Sequence, residues 1–167
     1  MMIEDRSATI TWGDPMIGAQ AALTMSGLEY MTALKDRKYP APPIARLFMM
    51  DLIEVSEGWV VFTAQPAEYS YNPIGVVHGG YATTVLDGAM GCAVHTILPQ
   101  GMAYSTTQIN SHLVRAITLS VGVLRCEAKV LHSGRLIATA EAYLRDSKGK
   151  LYAHATTTCA IFPIQRD

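Results

Sequence analysis

One stretch restricts this chain more than any other. Tyr81 to Leu98 runs almost entirely apolar, with Asp87 as its only formally charged residue and with small residues at Gly88, Ala89 and Gly91. A helix that is apolar nearly all round has to be covered on several sides, and small residues let the cover approach closely. The stretch is borderline in length for a membrane span. Asp87, His95 and several threonines make a buried core helix the better reading, ended by Pro99 and Gly101.

What covers the helix is legible in the rest of the chain. Arg46–Ser56 and Trp59–Ala67 read as two strands about a Glu57-Gly58 turn. Beyond the helix, Ala103–Arg115, Leu119–His132, Arg135–Arg145 and Leu151–Phe162 read as four more. The plainest is Arg135–Arg145, where Leu136, Ala138, Ala140, Ala142 and Leu144 alternate with Ile137, Thr139, Glu141 and Tyr143. Ser133-Gly134 and Ser147-Lys148-Gly149 supply hairpin turns with glycine available for positive φ. Upstream, apolar positions from Asp14 to Lys35 recur at helical spacing behind an Asp14-Pro15 cap, and prolines 40, 42 and 43 make Lys38–Pro43 an extended loop. Strands gathered around one long helix give an α+β domain with a largely antiparallel sheet.

Composition narrows the function classes. A chain of 167 residues, half hydrophobic and 16% charged, suits one domain with a sizeable core. The formal net charge of -1 argues against a nucleic-acid partner, and so little charge leaves apolar surface to hide against a second copy. Cys92, Cys126 and Cys159 are scattered and odd in number, which supports neither a zinc site nor a disulfide framework and fits reduced thiols in the cytoplasm. The first residues carry Glu4, Asp5 and Arg6 and no apolar run, so no signal peptide is expected there. His95, His112, His132 and His154 lack metal-ligand spacing. No Gly-x-Ser-x-Gly elbow occurs.

The chemistry concentrates between Asn72 and Asp87. A carboxylate inside an apolar helix is costly unless it is paired or reaches a cleft. A hydrogen-bonded structural aspartate is one reading of Asp87. A base or nucleophile is the favoured one, because desolvation raises a carboxylate's pKa and makes it a better base. Just upstream, Gly79 and Gly80 stand at the helix N-terminus, where unshielded N–H groups suit a developing oxyanion; they also suit a plain tight turn. His78 reads either as an acid/base or as the residue that orients this loop. Asp87 follows Gly79 by eight residues, about 12 Å along a helix. One reacting carbonyl carbon cannot easily touch both within one chain, so a site shared between two chains is expected.

The string Tyr71-Asn-Pro-Ile-Gly-Val-Val-His-Gly-Gly80, followed by Leu86-Asp-Gly-Ala-Met-Gly-Cys-Ala-Val94, resembles the phenylacetic-acid-degradation (PaaI-like) type of acyl-CoA thioesterase. The likeness runs from about Ser26 to Phe162. It includes Pro42-Pro43-Ile44, Tyr104-Ser-Thr-Thr107, His132-Ser-Gly-Arg135, Asp146-Ser-Lys-Gly149 and Ala153-His-Ala-Thr-Thr157. The resemblance implies a hot-dog fold, a curved antiparallel sheet wrapped around one long central helix. An extension at 1–43 would carry the additional N-terminal helix over the dimer or the site mouth, the hot-dog domain would span 44–163, and 164–167 would be a tail.

The resemblance also implies roles. Asp87 would activate water or attack the thioester carbonyl. Asn72 and the Gly79 N–H would polarise that carbonyl, His78 would support the loop, and Ser105 or Thr106 would hold water beside Asp87. The substrate would be an aryl- or medium-chain acyl-CoA, with coenzyme A only as part of it and no metal or other cofactor. The protein would be a dimer, or a dimer of dimers, with the site between subunits and no nucleic-acid or membrane partner. Arg135, in the turn with Ser133 and Gly134, is a candidate for coenzyme A phosphates, since a guanidinium matches phosphate oxygens; Gly80 adds a backbone N–H to the same set, and a solvated turn arginine is the plain alternative. Met49 and Met50 are candidates for an acyl tunnel or for ordinary core. One departure stands out: Arg115-Ala116 replaces the family's usual Arg-Pro. Two rival readings remain, a hot-dog hydratase or dehydratase and a non-catalytic acyl-CoA-binding module.

Overall fold

The computed structural model describes residues 4–164. The first three residues and the expected tail past Ile164 lie outside the described residues. In chain order the elements are α1 (Pro15–Ala22), α2 (Gly27–Lys35), α3 (Pro43–Leu47), β1 (Met50–Ser56), β2 (Trp59–Ala64), the long α4 (Gly79–Thr96), β3 (Met102–Leu113), β4 (Leu124–Ser133), β5 (Ile137–Asp146) and β6 (Leu151–Pro163). The strands form one antiparallel sheet in the order β1-β2-β4-β5-β6-β3. It curves around α4, which touches all six strands. This is the expected hot-dog arrangement.

The packing follows from residue size. Val85, Leu86, Ala89, Met90, Ala93 and Val94 of α4 are fully buried against the inward row of the sheet, which includes Val60, Leu124, Cys126 and Leu144. Burying one such larger aliphatic side chain is worth about 1.5–3 kcal/mol. The small residues of α4 sit where contact is tightest: a Cβ on Gly91 would fall 2.6 Å from the Tyr104 hydroxyl, and one on Gly88 3.2 Å from Met50 Cε. On β5, Ala138, Ala140, Ala142 and Leu144 point inward as the alternation predicts, whereas Leu136 precedes the strand and is exposed. Among the described residues no helix is long and apolar enough to cross a membrane.

Several boundaries differ from the sequence reading. The expected single helix over 14–35 is two, because Ser26 and Glu29 form a capping box that starts α2. The Glu29 N–H donates to Ser26 Oγ, and the Ser26 N–H donates to Glu29 Oε2 at 2.8 Å. Gly27 then lies so close to α4 that a Cβ would fall 1.6 Å from the His95 carbonyl oxygen. The strand expected from Arg46 begins at Met50, since Pro43 opens a turn of helix that runs to Leu47. The strand expected from Leu119 begins at Leu124, after a short 3-10 turn and Gly122 at φ +72°. β2 stops at Ala64 rather than Ala67, and α4 starts two residues earlier than Tyr81. Gly58 and Gly149 adopt the positive φ expected of their turns; Gly134 does not.

Candidate active site

β3 runs antiparallel along α4 and presents a ladder of contacts to it. Tyr104 meets Gly91, Thr106 meets Asp87, Ser111 lies 3.4 Å from Thr83, and Leu113 covers Gly79. The inward residues change from even to odd numbers along this strand, because a bulge between Thr106 and Gln108 shifts its register against β6. Thr106 therefore faces the helix and its hydroxyl donates to Asp87 Oδ1 at 3.1 Å. Ser105 is on the opposite face and exposed, so of the two hydroxyls expected beside Asp87 the structure supplies only Thr106.

Asp87 is half-buried and borders a cavity of about 200 Å³. The rest of that cavity is mainly apolar. Phe62, Leu52 and Met50 come from the sheet, Gly88 and Cys92 from α4, and Met31 and Leu34 from α2. Of the two methionines proposed for a tunnel, Met50 lines this cavity and Met49 does not. Burial, and secondarily the charge of Asp87, push the Cys92 thiol up to about 12, so it is a neutral wall rather than a nucleophile. The sequence reading passed over Cys92. Thr84, Gly88 and Cys92 recur every four residues with Asp87 beside them, a helical stripe that was there to be read. His95 packs between a tilted Tyr30 ring and an edge-on Tyr104 ring, and burial holds its pKa below the usual imidazole value. Of the core and surface roles open to the four histidines, His95 takes the partly buried one.

The N-terminus of α4 is built differently. His78 is the N-cap, and its Nδ1 accepts the Gly80 N–H at 2.9 Å. That bond favours the loop-orienting role for His78, and it occupies the N–H that Gly80 was expected to offer a ligand. Asn72 also works within the loop: its Oδ1 accepts from the Ile74 N–H at 3.0 Å and the Val76 N–H at 3.2 Å. Only its amide nitrogen is left to polarise a carbonyl. Gly79 lines a cleft of about 170 Å³ with His78, Arg115 and Ala116. The Arg115-Ala116 departure thus lies against the glycine, a proximity not anticipated from the chain. Ser133, Gly134 and Arg135 are exposed at the β4–β5 tip and do not line the Asp87 cavity. His112 and His154 stack across β3 and β6 at 4.8 Å. Among the described residues no group of three or more His, Cys, Asp or Glu side chains is arranged to hold a metal ion.

The family model of the thioesterase superfamily matches residues 74–153, which hold α4 and its loop together with β3, β4 and β5. Over that region the chain is similar to the thioesterase superfamily. A phenylacetic acid degradation-related protein of Ralstonia eutropha is 27% identical, with a TM-score of 0.72 over 78% of this chain and 98% of that one. A conserved protein of Pseudomonas aeruginosa is 28% identical, with a TM-score of 0.68 over 73% and 95%. A hypothetical thioesterase protein of Streptococcus pneumoniae, solved with coenzyme A, shares the fold at 24% identity, with a TM-score of 0.63 over 70% and 88%. A comparison with curated proteins finds no match. Within this thioesterase-type domain, α4 carries both a glycine-flanked amide end and a carboxylate that opens on an apolar cavity.

Proposed function

We propose that the chain hydrolyses an aryl-acyl- or medium-chain acyl-CoA thioester to the free acid and coenzyme A. The observation that carries this reading is Asp87, oriented by the Thr106 hydroxyl and set at the wall of an apolar cavity. A carboxylate placed there serves as a base that takes a proton from water while the water oxygen attacks the thioester carbonyl. Direct attack by the carboxylate is the other form of the same step. In the first form the C–S bond breaks as the tetrahedral intermediate collapses, and the proton held by Asp87 passes to the departing thiolate, which leaves as coenzyme A. In the second, C–S cleavage leaves an acyl anhydride on Asp87, which water hydrolyses to the free acid with return of the carboxylate, and the proton lost by that water goes to the thiolate. The Streptococcus pneumoniae protein of the same fold with coenzyme A supports the choice of thioester. The phenylacetic acid degradation-related neighbour supports an aryl-acyl group.

Gly79 and Asp87 line separate cavities of one chain. The reading therefore has the Gly79 N–H of a second copy face the carbonyl over Asp87, across a dimer interface. β3 supports this pairing: it is an edge strand of twelve residues with one side unpaired, the kind of edge along which another chain adds. The lyase alternative needs an imidazole beside the carboxylate. It loses ground because His78 spends Nδ1 on the helix cap, accepting the Gly80 N–H.

The test is thiol release from a panel of aromatic and aliphatic acyl-CoAs by the wild type and Asp87→Ala side by side. Release that falls by about a hundredfold or more in the variant supports the reading. No release from any substrate, or equal release by both proteins, overturns it; a product that retains the thioester would point to lyase chemistry.

A further inference from the structure

The Asp87 cavity is only partly built by the region that matches the superfamily. Thr84, Asp87, Gly88 and Cys92 fall within residues 74–153, while Met31, Leu34, Ala41, Pro42, Ile44 and Ala45 all precede β1. The second and third N-terminal helices, with the loop between them, are therefore one wall of the cavity itself. The wall is fixed at two points. Its start is held where Gly27 sits against the His95 carbonyl and its N–H donates to the Leu98 carbonyl at 2.9 Å. Its end is held by the Tyr69 hydroxyl, which donates to the Leu47 carbonyl at 3.0 Å.

Two residues of this wall differ in a telling way. Met31 lines the cavity yet is only 2% exposed, so it is reached from inside and forms the closed end. Ile44 lines the same cavity and is 51% exposed, so it stands at the rim. The cavity volume of about 200 Å³ is modest. An apolar cavity of ~150 Å³ admits one benzene, so this one holds about eight carbons.

We infer that the N-terminal segment gauges the acyl group, with Met31 as the stop that sets how deep an acyl chain enters and Ile44 as the rim that sets how wide. The inference rests on the thioesterase reading for its substrate but not for its test. An unbranched acyl chain longer than the cavity meets Met31, and its remaining carbons have nowhere apolar to go. Each methylene that fails to fit is worth roughly tenfold or more in discrimination. Met→Ala removes three heavy atoms from the closed end, room for two or three further carbons.

The experiment measures kcat/KM for butyryl-, hexanoyl-, octanoyl-, decanoyl- and palmitoyl-CoA with the wild type, Met31→Ala and Ile44→Trp. In parallel, calorimetric Kd values for the same series are taken on Asp87→Asn and on Asp87→Asn/Met31→Ala. The wild type should fall off beyond about eight carbons. Met31→Ala should raise the decanoyl-to-hexanoyl ratio at least about tenfold, in kcat/KM and in affinity alike. Ile44→Trp, which narrows the rim at an exposed position, should lower turnover of phenylacetyl-CoA, added to the panel for its width, more than that of hexanoyl-CoA. Met31→Ala scaling every chain length by one factor, Ile44→Trp treating the wide and the narrow acyl group alike, or a wild type that accepts palmitoyl as well as octanoyl would overturn the gauge. If no protein releases thiol, the hydrolytic reading fails, and the gauge is then judged on the Kd series, where an unchanged length profile in the Met31→Ala background overturns it.

Discussion

Two regions of α4 share one backbone and have opposite characters. At its N-terminus, Gly79 and the capping His78 border shallow clefts, and the local chemistry is that of backbone N–H donors at the positive end of a helix. Two turns on, Asp87 sits half-buried at an apolar cavity, and the local chemistry is that of one carboxylate held by one hydroxyl. Acyl transfer needs both, an anion-stabilising donor and a base. The helix separates them by about 12 Å, so in the proposed reaction each chain would own two half-sites. What the contrast teaches is that the proposed hydrolysis needs a second copy running the other way, since donor and base sit apart on one rigid element.

The largest effect should come from removing the donor while leaving the helix. Proline is tolerated at the first helical position, so Gly79→Pro deletes the N–H without breaking α4. Leu113→Ala makes the room, since a Cβ on Gly79 would meet Leu113 Cδ1 at 2.4 Å. Turnover by the double variant should drop by about a hundredfold or more relative to Leu113→Ala alone. Mixing it with Asp87→Ala should restore about a quarter of wild-type activity if chains exchange at random, because half of the sites in each mixed dimer are then whole. No recovery after verified exchange would break the two-chain arrangement.

Thr106→Val tests the other half-site. It removes the donor to Asp87, and kcat should fall about tenfold with the melting temperature little changed. A wild-type rate would mean that Thr106 does not orient the carboxylate. His78→Ala should act on stability first: losing a cap acceptor costs about 1 kcal/mol, read as a lower urea midpoint, with a smaller loss of rate than Thr106→Val. A loss as deep as that of Asp87→Ala would make His78 catalytic. The smallest effect concerns Cys92. Burial and the Asp87 charge both disfavour its thiolate, so alkylation by iodoacetamide at pH 8, followed by mass spectrometry, should be slow in the wild type and somewhat faster in Asp87→Asn.

Much of this was legible in the chain because it rests on local rules. The apolar α4 with small residues, the alternation of β5 and the Gly58 and Gly149 turns each follow from one side chain and its neighbours. Where two local signals competed, the reading slipped. The periodic apolar positions from Asp14 to Lys35 hid the Ser26–Glu29 capping box, and the run Leu47-Phe48-Met49-Met50 does not by itself tell helix from strand. The site was legible as a set of residues but not as an arrangement. Nothing in Ser105-Thr106-Thr107 says which hydroxyl faces the helix, because that depends on a bulge fixed by pairing with β6. Nor does the chain say that Met31 borders the same space as Asp87, a contact made only when α2 docks on α4.

That bulge also governs how this strand can change over time. Upstream of it even-numbered residues look at the helix, and downstream odd-numbered ones do. Loss of a single residue beyond it, at Asn110, would leave composition and hydropathy almost untouched, yet put the strand out of phase: with Thr106 and the bulge kept in place, His112 would turn inward and Ser111 and Leu113 outward. Point substitutions at the outward positions of β3 are therefore cheap to explore, and length changes beyond the bulge are not. Lineages of such chains should drift in those outward letters while holding the number of residues between the bulge and the leucine at 113 constant.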